Sequence, residues 1–153
     1  MKINHFIPGL LLLFAVGCSS GNQPATESKK ETPKAETAAS TDPMQNKGIG
    51  PVKHVELGAT IDQQLAAQGQ AIYDIKCKAC HKPNERFIGP AQKGVLDRRT
   101  PEWVMNMIMN PEVMVKEDPI AKALLLEYNM APMANQGISE AEARALVEYF
   151  RTL

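Results

Sequence analysis

Apolar residues recur at the spacing of an α-helix from about residue 57 to residue 153. This spacing gathers them on one face of each helix, where they can pack against a common core. The first such helix leads into the segment Cys77-Lys78-Ala79-Cys80-His81, and either Thr60 or Asp62 can cap its start. The apolar face of this helix is formed by Ile61, Leu65, Gly69, Ile72 and Tyr73.

Three further helices are marked by capping residues as well as by apolar faces. Thr100-Pro101-Glu102 has the order of a helix start, and Asn110-Pro111 ends that helix. Asp118-Pro119 opens the next helix, and Ser139-x-x-Glu142 forms a capping box before the last one. Their inward residues are Trp103, Val104, Met107 and Ile108, then Ala121, Leu124, Leu125 and Tyr128, then Ala143, Leu146, Val147 and Phe150. Since no segment alternates like a strand, the sequence predicts a small all-α domain over residues 57–153.

The first 17 residues have the pattern of an export signal. Lys2 precedes an apolar run over residues 7–16, which is too short to span a membrane. Cys18 follows Gly17 directly, as in the lipobox of bacterial lipoproteins, where the signal is removed and the cysteine is acylated. An ordinary secretory signal with an incidental thiol and an uncleaved anchor are the alternatives.

The segment of residues 18–56 differs in composition from the parts on either side of it. It is rich in Ser, Thr, Pro, Ala, Glu and Lys and has almost no large apolar side chains. Such a segment buries too little surface to offset the entropy lost on ordering. We therefore predict a flexible, disordered tether between Cys18 and the helical domain.

Charge separates along the chain although the total is balanced. Lys plus Arg number 17 and Asp plus Glu number 17, which argues against a general nucleic-acid binder. Residues 76–99 hold seven basic and two acidic side chains, whereas residues 100–153 hold four basic and eight acidic ones. We expect a positive surface near Cys77 that steers docking onto an acidic partner, the alternative being an ordinary solvated surface.

The Cys77-x-x-Cys80-His81 segment is compatible with three kinds of chemistry. A structural zinc site needs four protein ligands, and the only other histidine near the domain, His54, lies in the predicted tether. A redox dithiol of the thioredoxin kind needs a βαβ setting, which the sequence lacks. Covalent haem attachment needs this order of residues: Cys77 and Cys80 bind the porphyrin and His81 binds the iron. A large planar cofactor would also supplement the small core of so short a domain.

The helical domain resembles class I cytochromes c over essentially its whole length. The resemblance lies in Gly69-x-x-Ile72-Tyr73-x-x-x-Cys77-x-x-Cys80-His81, in Ile88-Gly89-Pro90 and in Leu146-Val147-Glu148-Tyr149. It implies a small cytochrome c fold of three to five helices wrapped around one covalently bound haem c. It further implies that Gly69 contacts Leu146 and Tyr149 where the terminal helices cross, and that the Pro90 carbonyl accepts the imidazole N–H of His81.

The resemblance places the second axial ligand in the loop before the last helix. Four methionines lie in or just after the second helix, where methionine usually fills core gaps. Met130 and Met133 lie in the loop instead, and Met133 is six residues before Ser139. This spacing favours Met133 as the distal iron ligand, with Met130 as the alternative. Trp103 and Arg98 are candidates to reach the haem propionates.

The resemblance implies a monomeric electron carrier, not an enzyme, held by a lipid anchor on the periplasmic side of a bacterial membrane. Its donor would be a quinol-oxidising complex or another cytochrome. Its acceptor would be a terminal oxidase or an anaerobic reductase such as nitrous oxide reductase. The alternatives are a haem-based sensor or small peroxidase with an open sixth coordination site, and a zinc-stabilised interaction module.

Overall fold

The computed structural model describes residues 40–153. The predicted export signal, Cys18 and most of the predicted tether lie outside the described residues. Residues 40–153 contain no β-strand, and the predicted all-α class is confirmed. The helices are α1 (Gln63–Lys76), α2 (Pro101–Met109), α3 (Pro111–Glu117), α4 (Pro119–Glu127) and α5 (Glu140–Phe150), with one short 3-10 helix, Val95–Asp97.

The first and last helices, α1 and α5, cross closely at Gly69. A Cβ atom at this position would overlap the carbonyl group of Ala145 and lie 2.9 Å from Cβ of Tyr149. The predicted contact with Tyr149 is therefore present. The backbone of Ala145, which the prediction did not include, approaches Gly69 most closely, because Ala145 and Tyr149 are four residues apart on one helix face. Leu146 is fully buried in the core.

The predicted capping residues begin the helices at the expected places. Asp62, rather than Thr60, caps α1 and accepts hydrogen bonds from the backbone N–H groups of the first turn. The Thr100 side chain accepts from Trp103 N, and Ser139 forms the capping box with Glu142. These bonds satisfy backbone donors that have no partner inside a helix.

Helix α3 is an element that the sequence analysis missed. Asn110-Pro111 ends α2 as predicted, but Pro111 is also the first residue of α3. Proline is favourable at this position because its missing N–H would have no helical partner there, and Pro101 and Pro119 begin α2 and α4 in the same way. The chain thus makes three successive short helices where two were expected.

Residues 40–56, which we name the N-terminal strap, pack against α2 and α3. The prediction of a flexible segment was wrong for these residues, since Asn46 is 1% exposed and Val52 is 2% exposed. The strap is held by polar contacts that its composition did not reveal. Thr100 Oγ1 donates to the carbonyl oxygen of Asn46 at 2.6 Å, and Asn46 Nδ2 donates to Asp118 Oδ2 at 2.6 Å.

The hydrophobic core joins α1, α2 and α5, with the strap and α3 packed against it. Three aromatic rings, those of Tyr73, Tyr149 and Phe150, cluster inside it at centroid distances of 5.3–6.2 Å. Within residues 40–153, no helix has the length and apolar character needed to cross a membrane.

Candidate functional site

The Cys77–His81 segment begins where α1 ends. Cys77 is the C-terminal cap of α1, and its carbonyl oxygen accepts hydrogen bonds from Cys80 N at 3.0 Å and His81 N at 2.9 Å. This tight turn brings the two thiols and the imidazole to the wall of a single cleft. The three residues that were predicted to act together therefore share one site.

The remainder of the cleft is mainly apolar. Its walls come from α2, α3, α4, the loop of residues 128–138 and α5, and α3 contributes Val115. The apolar lining residues include Val104, Met107, Ile108, Leu124, Leu125, Met133, Ile138 and Phe150. A cleft of this kind binds a large hydrophobic group and excludes water from it.

His81 is held in a defined orientation. Its Nδ1 lies 3.0 Å from the carbonyl oxygen of Pro90, and its ring packs so closely on Gly89 that a Cβ there would overlap it. The Tyr73 hydroxyl donates to the His81 carbonyl oxygen at 2.9 Å. Burial lowers the pKa of His81 against the opposing effect of the Pro90 hydrogen bond. The imidazole is therefore kept neutral, the form that binds a metal ion.

The environment of Cys77 does not suit a redox dithiol. Burial, with a smaller effect of Cys80, raises the pKa of the Cys77 thiol to about 11. Reactive and disulfide-exchanging cysteines have lowered pKa values, because the thiolate is the nucleophile. A half-buried, protonated Cys77 beside a large apolar cleft is better suited to a permanent covalent bond.

Gln92 is a residue of the site that the sequence analysis missed. Its side chain is buried, and its Nε2 lies 2.7 Å from Nδ1 of His81 and 3.2 Å from the carbonyl oxygen of Pro90. Nothing in the local sequence indicates this role, because a single glutamine in a loop is ordinarily solvated. Only the path of residues 81–92 around the imidazole brings it there.

The two candidate distal ligands occupy different environments. Met133 lines the cleft and packs against the hydrophobic core. Met130 is 58% exposed, is not among the lining residues and has a left-handed backbone with φ of 58°. The placement of the two side chains thus favours the residue that the loop spacing favoured.

The side chains suggested for the propionates are engaged elsewhere. Trp103 Nε1 donates to the buried Asp118 at 3.1 Å, and Arg98 donates to the carbonyl oxygens of Ala91 and Lys93. The neighbouring Arg99 differs, since its Nε is buried without a hydrogen-bond partner in the part of the chain that the structure describes. Its guanidinium lies 5.3 Å from the centroid of the Trp103 ring.

Several basic side chains surround the Cys77–His81 turn. Lys76 lines the cleft, Lys78 pairs with Asp74 at 3.2 Å, and the ammonium of Lys82 lies 4.8 Å from the centroid of the Phe87 ring. Farther along the basic segment of residues 76–99, Arg86 is paired with Glu127 at 3.1 Å. Three of the seven basic side chains of residues 76–99, those of Lys76, Lys78 and Lys82, therefore lie in or next to the motif.

The donor set fits haem c and does not fit zinc. Two thiols in a C-x-x-C turn, a neutral imidazole oriented by Pro90 and a cleft with an apolar lining are the groups that a covalently bound porphyrin needs. Among residues 40–153, no cluster of three or more His, Cys, Asp or Glu side chains is arranged to hold a metal ion. His54 is exposed beside Glu56 and does not join the motif.

Comparison with known proteins gives a consistent result. The sequence profile of the family described as Cytochrome c matches residues 66–153. A solved cytochrome c from Rhodothermus marinus is 46% identical, covering 67% of this chain and 88% of that one, with a TM-score of 0.65. An engineered form of it, bound to a carbene intermediate, is 45% identical over 67% of this chain and 88% of that one, with a TM-score of 0.62.

A more distant solved structure also matches. The cytochrome c domain of a Pseudomonas putida protein is 30% identical, covering 55% of this chain and 85% of that domain, with a TM-score of 0.51. No curated protein sequence matches the chain.

Proposed function

Since this chain belongs to the cytochrome c family and carries one covalently attached haem c, we propose that it is a lipid-tethered periplasmic electron carrier with His81 and Met133 as axial ligands. The observation that supports this most strongly is the shared cleft of Cys77, Cys80, His81 and Met133. When bound, haem c supplies a reversible one-electron iron couple.

The residues of the cleft have separate roles in this proposal. Cys77 and Cys80 hold the porphyrin through thioether bonds, and His81 ligates the iron through Nε2 while Nδ1 faces Pro90. The Met133 thioether raises the reduction potential and fills the coordination site that a small ligand would need. The apolar lining excludes water, which further favours the less charged ferrous state.

The partners in this proposal are other redox proteins. A quinol-oxidising complex or a second cytochrome would donate the electron, and a terminal oxidase or an anaerobic reductase, for example nitrous oxide reductase, would accept it. The concentration of basic side chains beside the Cys77–His81 turn supports docking onto acidic surfaces. The protein would act as a monomer, as the resemblance to class I cytochromes c implies.

Membrane attachment through Cys18 is the second part of the proposal. The apolar run before Cys18 supports export, and the small residues directly before it support acylation. Because a single acyl chain gives weak membrane binding, more than one chain on Cys18 would be needed for a stable anchor. Metabolic labelling with a fatty acid should label the wild type but not Cys18→Ser. If the wild type took up no label and were found free in the periplasm, the proposed lipid anchor would be wrong.

The alternative function is that of a haem-based sensor or small peroxidase, which needs an open sixth coordination site. The engineered Rhodothermus marinus cytochrome c is bound to a carbene intermediate, so a relative of this chain is accessible to a small group after engineering. A sensor or small peroxidase would need the same accessibility without engineering. In that alternative, Met133 would line the cleft without ligating.

Carbon monoxide distinguishes the two functions. The purified haem protein should titrate as a single one-electron couple, and its reduced form should keep its absorption spectrum under carbon monoxide. Met133→Ala is the positive control, since it should bind the gas. Rapid carbon monoxide binding by the reduced wild type would reject the closed carrier and favour the sensor or peroxidase.

A further inference from the structure

The imidazole of His81 has two polar neighbours at Nδ1. The Pro90 carbonyl oxygen lies 3.0 Å away, and the side-chain amide of Gln92 lies nearer, at 2.7 Å. Gln92 is 8% exposed, so water does not compete with it for this position. The Pro90 contact was implied by the resemblance to class I cytochromes c, whereas the sequence did not indicate the Gln92 contact.

The backbone around Gln92 is fastened on both sides. Arg98 donates to the carbonyl oxygen of Ala91 at 3.1 Å and to that of Lys93 at 2.9 Å. Lys93 N donates to the Pro83 carbonyl oxygen at 2.8 Å, and Gln92 N lies 3.3 Å from that of Lys82. The segment that presents the amide to His81 is thus held at each neighbouring residue.

Iron binding determines which end of the amide can face the imidazole. A neutral imidazole has one N–H, so ligation through Nε2 places the hydrogen on Nδ1. The Gln92 amide nitrogen is a donor and would then face a second donor at 2.7 Å. A half-turn about the last side-chain bond exchanges nitrogen for oxygen with almost no change of shape. The amide oxygen then accepts the Nδ1–H together with the Pro90 carbonyl, and the longer contact between Gln92 Nε2 and the Pro90 carbonyl oxygen, at 3.2 Å, is given up.

We propose that Gln92 is a positioning residue that serves as a second acceptor for the Nδ1–H of His81 and thereby lowers the reduction potential of the haem iron. Two acceptors withdraw the proton further and make the imidazole a stronger donor to iron. A stronger donor stabilises the ferric state relative to the ferrous state. The inference rests on the proposed ligation of the iron by His81. The effect of Gln92 on the reduction potential is opposite to that of a methionine ligand.

The test compares the midpoint potentials of wild type, Gln92→Leu and Gln92→Glu in the complete haem protein. Leucine keeps the size of the side chain but removes the acceptor, so the potential should rise. Loss of one hydrogen bond corresponds to about fivefold in the ferrous-to-ferric ratio, or about 40 mV for a one-electron couple. Gln92→Glu retains an oxygen acceptor and adds negative charge, so its potential should fall. Gln70→Leu, on the exposed face of α1, is the matched control and should leave the potential unchanged.

A second measurement reports on the hydrogen bond itself. In NMR spectra of the reduced, diamagnetic protein, the His81 Nδ1–H resonance should move upfield in Gln92→Leu, because its hydrogen bond is weaker. An unchanged potential, a fall in Gln92→Leu, or shifts of both variants in one direction would overturn the role of Gln92. If the test fails while the spectra of the wild type show a low-spin iron ligated by histidine, only this inference is wrong. If the wild-type spectra show no histidine ligation, the proposed function is rejected as well.

Discussion

Asn106 of α2 pairs with the backbone of Val52 in the N-terminal strap as one strand pairs with another. Its Oδ1 accepts from Val52 N at 3.1 Å, and its Nδ2 donates to the Val52 carbonyl oxygen at 2.9 Å. The same Nδ2 donates to the carbonyl oxygen of Lys47 at 2.9 Å. Asn106 is fully buried, so these bonds are not exchanged for bonds to water. One side chain therefore holds two points of the strap on α2.

Removing these bonds should destabilise the protein. Asn106→Asp has the same shape but replaces the donor by a carboxylate oxygen beside two carbonyl oxygens. We expect the free energy of unfolding to fall by at least about 2 kcal/mol, since buried backbone groups lose their partners. Denaturant unfolding of the haem protein measures this, with the exposed Asn84→Asp as control. Equal stability of the two variants would show that the strap contributes little.

Gly69→Ala distinguishes packing from helix propensity. In an isolated helix, alanine is favoured over glycine by about 1 kcal/mol. At this position its Cβ would overlap the Ala145 carbonyl, so we expect a loss of stability of about 1–3 kcal/mol. The exposed Gln68→Ala, one residue earlier on α1, should be neutral or stabilising. A more stable Gly69→Ala protein would mean that α1 and α5 can move apart at this crossing without a loss of stability.

Glu148 should make stability depend on acidic pH. Burial alone would raise its pKa, but hydrogen bonds from Asp62 N at 2.8 Å and from Arg144 and Arg151, each at 2.6 Å, prevail and lower it. Its folded pKa is thus below the ordinary value of 4.5. The ionised side chain contributes stability above that value, and this contribution is lost as pH falls through the folded pKa.

The variant Glu148→Gln measures this contribution. At neutral pH it should lower the free energy of unfolding by about 1–3 kcal/mol, because two guanidinium groups lose a charged acceptor. The difference from wild type should shrink as pH falls below 4.5. A difference that stays constant down to strongly acidic pH would assign the effect to shape rather than to charge.

The distal ligand is tested by two alanine variants. The ferric wild type should show the near-infrared band that arises from sulfur-to-iron charge transfer. Met133→Ala should lose this band, because Met133 lines the cleft, whereas Met130→Ala should keep it. Loss in Met130→Ala alone would transfer the assignment to Met130, and retention in both variants would reject a methionine ligand from this loop.

The basic side chains near Cys77 should make electron transfer sensitive to salt. Raising the ionic strength from about 0.01 M to about 0.15 M shortens the screening length from about 30 Å to about 8 Å. The second-order rate constant with an acidic redox partner should fall by about tenfold. Lys82→Glu should slow the reaction at low salt, whereas Lys116→Glu, on α3, should change it little. A rate independent of salt would rule out steering.

Local sequence signals determined the helical class and the motif. Caps such as Thr100 and Ser139 act within one turn, and apolar spacing acts within one helix, so both could be predicted without knowledge of the fold. The turn from Cys77 to His81 is equally local, because its hydrogen bonds join residues three and four apart. The likeness to cytochromes c depended on these same short patterns.

Tertiary packing decided the features that sequence reasoning missed. The strap is ordered because Asn106, 54 residues away from Val52, supplies the hydrogen bonds that its own composition lacks. Gln92 contacts His81 because the chain folds back after Pro90, and no periodic pattern in the sequence predicts this change of direction. Local energies fix where helices begin and end, whereas the partner of a polar group is fixed only when distant segments are brought together and water is excluded.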